Sequence, residues 1–275
     1  PILIDKYIEG QEIEVDAIGD GDEILIPGIM EHIERTGVHS GDSISVYPPF
    51  RVSKDLEAQL VDYTQRIAKA LHIVGLVNIQ YAWDGEKLYV IEVNPRASRT
   101  VPILSKVTRV PMINLAVAAM LGQKLKDLGY GTGLYPAAEK YSVKVPVFSS
   151  AKLTDVDVAL GPEMRSTGEV LGIDEDLEKA LYKGFLAANM KIPASGGVFV
   201  ALRDSEKTKK TAAIIQKYQD AGFTIYSSKG TTAFLRENGI DGKLISFDKA
   251  REMVGDGIDC VINVPRVGNI RESDG

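Results

Sequence analysis

The chain has 275 residues, 44% of them hydrophobic and 25% charged, with a formal net charge of −6. That is enough apolar residue for a real core in one large or two ordinary domains. The acidic balance argues against a nucleic-acid-binding face, which needs sustained positive charge. The single cysteine, Cys260, cannot form an internal disulfide and fits a reducing cytoplasm. No apolar run reaches membrane-spanning length, so neither a membrane nor a nucleic acid is expected as a partner.

Pro1–Asp5 reads as a strand already under way, and Arg271–Gly275 carries no capping signal, so the chain reads as a piece of a longer polypeptide. Residues 12–18 and 23–29 read as two strands joined by the turn Gly19-Asp20-Gly21-Asp22. Residues 31–43 are polar and punctuated by glycine, and read as a functional loop. Ser53 is a candidate N-cap for a helix in which Leu56, Leu60, Tyr63, Ile67 and Leu71 recur at helical spacing. Strands are predicted at 73–83 and 86–94.

The turn between those strands decides which side chains share a face. A two-residue loop, Asp84-Gly85, would set Gln80 and Glu92 on opposite faces. A three-residue loop, Trp83-Asp84-Gly85, with Gly85 left-handed, pairs Gln80 with Leu88. It puts Asn78, Gln80, Glu92 and Asn94 on one face. Four polar groups on one face of an otherwise apolar hairpin need a partner, so the three-residue loop is the expectation.

Further on, an alanine-rich helix is predicted over 111–121, a strand over 140–148 and a helix over 174–190. Pro193-Ala194-Ser195-Gly196-Gly197 has the composition of a linker. The pattern then restarts: strand Val198–Leu202, helix Ser205–Ala221, strand Phe223–Ser227, short helix Thr231–Glu237, and strands Lys243–Phe247 and Cys260–Val264. The basic run Lys207-Thr208-Lys209-Lys210 falls where a helix begins and reads as a solvated face. Alternating strand and helix predicts a parallel, Rossmann-like sheet. The expected class is α/β, with a boundary near residue 191.

Three constellations carry chemistry. In Ile91–Thr100 the strand alternation puts Glu92 and Asn94 on one side, and Arg96 and Arg99 follow the proline. Oxygen donors on rigid backbone beside guanidinium groups suit Mg²⁺ bound to a polyphosphate, and so point to ATP. In Glu31-His32-Ile33-Glu34 and Gly37–Ser43, glycines let backbone N–H groups approach a ligand, a weak signal when taken alone. There His39 reads as a packing or hydrogen-bonding group, and His72 as structural. In Ser227–Thr232, N–H groups and hydroxyls at a helix start suit a phosphate, although a plain capped turn fits the same spacing.

Taken together, Asp5–Gly10, Met30–Glu34, Gly37–Ser43, Asn78-Ile79-Gln80 and Ile91–Thr100 resemble the large subunit of carbamoyl-phosphate synthase. More specifically they resemble the second of its two ATP-grasp halves. Val198–Gly239 is similar to the methylglyoxal-synthase-like allosteric domain that ends that subunit. The resemblance covers essentially the whole chain. It implies an α+β ATP-grasp C-terminal lobe over 1–121, a connector over 122–190, and a truncated allosteric domain over 191–275.

The resemblance implies ATP and Mg²⁺ or Mn²⁺ as cofactors. It places Lys6 and Ile8 at the adenine, Glu12 at the ribose, and Gly37, Val38, His39 and Ser40 in the loop completing the nucleotide pocket. Gln80, Glu92 and Asn94 match metal ligands, Gln80 and Glu92 also touching ATP. Arg96 and Arg99 match the arginines at the transferred phosphoryl group. In the tail, Ser228 and Thr231 match donors to the phosphate of an effector nucleotide of the UMP or IMP type, with Asn263 and Lys207 as further contacts. The intact enzyme phosphorylates carbamate derived from bicarbonate, works with a small glutaminase subunit, serves arginine and pyrimidine synthesis, and is a possible homo-oligomer. The upstream ATP-grasp lobe is not in these residues, so the piece alone is expected to be inactive. Pro265 departs from the family at a position usually holding a hydroxyl, and Arg109 at one usually holding glycine. The alternatives are a module that only binds an effector, or another ATP-grasp ligase; the Rossmann-like tail argues against the latter.

Overall fold

The computed structural model describes residues 2, 6–149 and 160–264. The strand reading of Pro1–Asp5 lies almost wholly outside them, as does the departure at Pro265. The chain divides into two compact units, Pro1–Lys191 and Ile192–Gly275.

The first unit opens with β1 (Gln11–Asp20) and β2 (Ile24–Arg35), an antiparallel hairpin. Asp20 makes the turn: its Oδ1 accepts the N–H groups of Asp22 and Glu23 at 3.0 and 2.8 Å, while Gly21 takes φ +89°. β2 runs on through Arg35, because Glu31 and His32 pair with β3 (Ser45–Tyr47). The first part of the stretch read as a loop over 31–43 is therefore sheet. Its buried Glu31 and His32 side chains are tolerated there because each is paired: Arg51 meets Glu31, and Glu12 and Glu14 meet His32.

α1 (Lys54–Ala70) starts where Ser53 Oγ accepts the Leu56 N–H at 3.2 Å. Leu56, Leu60, Thr64 and Ala68 are its buried stripe. Leu71 is the C-cap and 54% exposed, so it does not extend that stripe as expected. Burying Leu56 and Leu60 is worth about 2–3 kcal/mol each.

β4 (Val74–Trp83) and β5 (Leu88–Asn94) form the next hairpin. Trp83 pairs with Leu88, so the loop is Asp84–Lys87, not the three residues expected. Asp84 Oδ1 holds it by accepting the N–H groups of Glu86 and Lys87. A register shift after Gln80 then brings Gln80 opposite Glu92 and Asn78 opposite Asn94. The four polar side chains do share a face, but a bulge puts them there and the turn does not.

α2 (Val101–Thr108) and α3 (Met112–Met120) follow; the first was not foreseen. Its C-cap, Arg109, sits at φ 61°, left-handed, where glycine alone is free of strain. Then come β6 (Gly133–Leu134), β7 (Tyr141–Val147), β8 (Gly168–Asp174) and α4 (Leu177–Ala187). β8 takes the start of the helix expected over 174–190, and Asp176 caps what remains by accepting the Lys179 N–H. α4 lies so close on β8 that a Cβ on Gly172 would sit 2.0 Å from the Ala180 carbonyl oxygen.

The strands form one sheet in the order β5-β4-β1-β2-β3-β7-β8, with β6 beside β2. α1 covers the face carrying Ile13, Val15, Val77 and Ile79. α2 and α3 cover the end of the opposite face, where Ile18 and Leu76 lie. The remainder of that opposite face carries Glu12, Glu14, Asp16, Asn78 and Gln80, by the two-residue alternation of β1 and β4.

The second unit is β9 (Gly197–Leu202), α5 (Lys209–Asp220), β10 (Thr224–Ser227), α6 (Lys229–Glu237), β11 (Gly242–Leu244), α7 (Phe247–Met253) and β12 (Cys260–Val264). Its sheet is parallel throughout, ordered β11-β10-β9-β12. α5 begins later than expected, because Thr208 caps it and Asp204–Glu206 is a 3-10 turn. The strand expected over 243–247 stops at Leu244; Ser246 Oγ accepts the Lys249 N–H and starts α7 instead. Among the described residues no single helix is long and apolar enough to cross a membrane.

Candidate functional site

On the open face of the first sheet, β1 presents Glu12, Glu14 and Asp16 in a row. All three are buried. Glu12 Oε1 accepts the Gly37 N–H at 2.9 Å, and its Oε2 lies 3.3 Å from His32 Nδ1. Glu14 Oε2 lies 3.3 Å from His32 Nε2, and its Oε1 accepts from Asn78 Nδ2 at 2.7 Å. The same amide nitrogen reaches Asp16 Oδ1 at 3.1 Å. Burial pulls the His32 imidazole down, but Glu12 and Glu14 more than offset it, so its pKa lies above the usual value. Burial raises Glu14, but His32, Lys144 and Asn78 bring it to about 2. Asp16 goes the other way: burial and the charge of Glu14 push it to about 7, against hydrogen bonds from Thr100, Ser98 and Asn78.

Ser40 is the meeting point of the site. Its Oγ accepts from Gln80 Nε2 at 3.0 Å, and its carbonyl accepts from Lys144 Nζ at 2.7 Å. Lys144 comes from the middle of β7 and is 1% exposed. Burial lowers its pKa, and Glu14, Glu169 and Glu34 oppose that shift. Next to Ser40, His39 Nδ1 accepts the Gly41 N–H, and the His39 N–H donates to the Gly161 carbonyl at 2.8 Å. Asp42 accepts the N–H groups of Arg165 and Ser166, both at 2.8 Å. Ser166 Oγ in turn receives Arg99 Nη1 at 3.1 Å, and Glu169 lies 3.5 Å from the same nitrogen. The Gly37–Ser43 loop, the segment before β8 and the arginine turn thus converge on one end of the face.

At the sheet edge, Asn94 Nδ2 donates to Glu92 Oε1 at 2.8 Å, beside Gln80 on the paired strand. This leaves hard oxygens on one face: one carboxylate and two amide carbonyls. Among the described residues there is no cluster of three or more His, Cys, Asp or Glu side chains able to cage a metal. The set suits a hard divalent cation that takes its other ligands from phosphate and water.

The nucleotide positions expected from the sequence fall into a second group. The Ile8 carbonyl accepts from Thr36 Oγ1 at 2.5 Å, and Tyr7 Oη donates to the Thr36 carbonyl at 2.9 Å. The segment after Lys6 is therefore tied to Thr36, next to Gly37. Val38 is buried. Arg96 is exposed and bonds within its own turn, to the Ala97 carbonyl.

In the second unit, Ser228 caps α6 and its Oγ donates to Thr231 Oγ1 at 3.2 Å. Thr231 is fully buried and its hydroxyl accepts the Leu202 N–H at 2.9 Å. Lys207 pairs with Asp204 at 2.6 Å, and its Nζ would be 3.6 Å from a Cβ on Gly230, at the helix start. Asn263 lies on β12 opposite Ala201 and is exposed.

Sequence reasoning missed Glu14, Asp16, Lys144 and Ser166 as parts of the site, and reached His32 and Asp42 only as members of a polar, glycine-punctuated stretch. Two signals were available. Glu12, Glu14 and Asp16 alternate with Ile13, Val15 and Ala17, which is a polar face on a buried strand. Lys144 interrupts the apolar run of β7.

The family described as "Carbamoyl-phosphate synthase L chain, ATP binding domain" matches residues 1–128, and the "MGS-like domain" matches residues 210–275. The carbamoyl phosphate synthase large chain of Clostridium acetobutylicum is 58% identical over 271 residues, covering 98% of this chain and 25% of that protein. That of Thermoanaerobacter pseudethanolicus is 51% identical over 276 residues, covering 100% of this chain and 26% of that protein. The chain thus spans about a quarter of the length of these relatives. Among solved structures, an ADP complex of N5-carboxyaminoimidazole ribonucleotide synthetase is similar in fold, with a TM-score of 0.50 at 17% identity, covering 67% of this chain and 50% of that one.

Proposed function

Because the chain belongs to the carbamoyl-phosphate synthase large-chain family, we propose that it supplies one wall of an ATP-dependent ligase site that phosphorylates carbamate, together with a regulatory unit. The observation that carries this reading is the Gln80, Glu92 and Asn94 oxygen face at the sheet edge. Ser40 joins that face to the loop that leads through Asp42 and Ser166 to Arg99. Gln80, Glu92 and Asn94 hold a divalent ion, Mg²⁺ or Mn²⁺, together with the terminal phosphates of ATP. When bound, the ion neutralises phosphate charge. Arg99, positioned by Ser166 and Glu169, presents a planar fork that fits the equatorial phosphoryl oxygens and the carbamate carboxylate. The Gly37–Ser40 loop completes the nucleotide pocket, with Ile8 at its base and Glu12 at its ribose. Such chemistry asks the protein for in-line placement and exclusion of water, since carbamate is labile.

In the intact enzyme this serves arginine and pyrimidine synthesis, with bicarbonate as carbon source and a glutaminase subunit as the ammonia supplier. The start of α6, with Ser228, Gly230 and Lys207 nearby, favours a second activity, the binding of a UMP- or IMP-type effector phosphate. The test is Glu92→Gln in the full-length enzyme. Carbamate phosphorylation is expected to be lost with effector binding retained, and normal turnover would overturn the assignment.

A further inference from the structure

The turn that carries Arg96 and Arg99 lies between β5 and α2 and has little regular structure of its own. Its two hydroxyls, Ser98 and Thr100, are tied to β1 by one buried carboxylate. Ser98 Oγ donates to Asp16 Oδ1 at 2.7 Å, and Thr100 Oγ1 donates to Asp16 Oδ2. The Thr100 N–H closes the arrangement on Ser98 Oγ at 3.1 Å. Thr100 is the N-cap residue of α2, yet its side chain makes no cap hydrogen bond to that helix. The hydroxyl that would ordinarily cap the helix is spent on the strand instead. Asp16 and Thr100 are each 1% exposed, so no water substitutes for these bonds.

We propose that Asp16 is a positioning residue of the site: by gripping Ser98 and Thr100 it fixes the turn that presents Arg96 and Arg99. Arg96 is exposed and Arg99 meets only the far segment at Ser166 and Glu169. Asp16 is thus the group that ties the base of the turn to the oxygen-bearing sheet. Asn78 completes the link, since its amide reaches Asp16 and its strand position faces Asn94. A buried polar group stripped of its hydrogen-bond partner is costly, and losing these bonds loosens the segment they hold. The inference rests on the proposed function for its catalytic consequence, and on geometry alone for the anchoring.

The experiment has an arm for each. In the 275-residue chain, tryptic cleavage after Arg96 and Arg99 reports the turn directly, without any assay of activity. Thr100→Val is expected to speed cleavage at these two bonds about tenfold or more, and Thr100→Ser, which keeps the hydroxyl, to leave it near wild type. Asp16→Ala should do the same as Thr100→Val; should it fail to fold, Ser98→Ala with Thr100→Val cuts the same bonds from the other side. Unchanged cleavage in Thr100→Val overturns the anchoring. In the full-length enzyme, Thr100→Val is expected to lower kcat about a hundredfold with KM for ATP within about threefold, and Thr100→Ser to restore kcat. A loosened turn with unchanged kcat overturns the positioning role. Absence of ATP-dependent phosphorylation in the wild type would refute the proposed function, while the cleavage arm would still decide the anchor.

Discussion

Replacing Thr231 by valine keeps the shape of the side chain and deletes one buried oxygen. That oxygen accepts the Leu202 N–H at 2.9 Å and receives Ser228 Oγ at 3.2 Å. Thr231 is fully buried and Leu202 is 8% exposed, so the amide is left without water or partner. An orphaned buried donor costs about 1–3 kcal/mol. Losing the Ser228 bond adds less, because solvent reaches that side. The expected loss is about 2–3 kcal/mol. For a unit the size of Ile192–Gly275, each kcal/mol lowers the melting temperature by about 4–8 °C, so a drop on the order of 10–20 °C follows. Far-UV circular dichroism in urea measures it. The fluorescence of Trp83, the one tryptophan in the chain, reports the first unit as an internal reference. Thr231→Ser keeps the oxygen and should recover most of the loss. A change below about 0.5 kcal/mol in Thr231→Val, or an equal loss in Thr231→Ser, would refute the hydrogen-bond account. The freed Ser228 hydroxyl should also weaken effector phosphate binding.

Arg109→Gly should stabilise the first unit by up to about 1 kcal/mol, because it relieves a left-handed residue at φ 61°; thermal denaturation shows whether it does. Gly172→Ala should cost at least about 2 kcal/mol, since the new methyl meets the Ala180 carbonyl at 2.0 Å and α4 must move off β8; a neutral result by urea titration would contradict that packing. Asp16 keeps its proton to about pH 7 in the folded chain, against 3.8 ordinarily, so its stabilising contribution is complete below pH 3.8 and lost as pH rises to 7. Asp16→Asn should therefore flatten the fall of stability across that window, and an unchanged slope would show that another group sets it. Glu14 has the opposite sign: its contribution is present above pH 4.5 and lost as pH falls toward 2.

The elements legible in the sequence were those whose own residues signal them. Ser53 and the leucines after it marked α1, and the strand–helix alternation after residue 197 marked a parallel sheet. The hairpin face was legible too, but for a reason the sequence does not display. The register shift after Gln80 is settled by how β5 lies along β4, and no turn residue announces it. Likewise β2 continues through Glu31 and His32 because Arg51, Glu12 and Glu14 neutralise them, and those partners lie 18 to 20 residues away. At the site, Glu92 and Asn94 could be read from local alternation, while Gln80 joins them only through that register shift. Lys144 could not be joined to Ser40 across 104 residues, nor Ser166 to Asp42 across 124, because only the assembled sheet makes them neighbours.

The central claim is that the Gln80, Glu92 and Asn94 face holds nucleotide-bound metal, and calorimetric titration of the 275-residue chain with ATP and Mg²⁺ tests it most directly. The account predicts ATP binding that disappears with EDTA and equally in Glu92→Gln, while UMP or IMP binding survives both. ATP binding that persists in Glu92→Gln, or without metal, would contradict it.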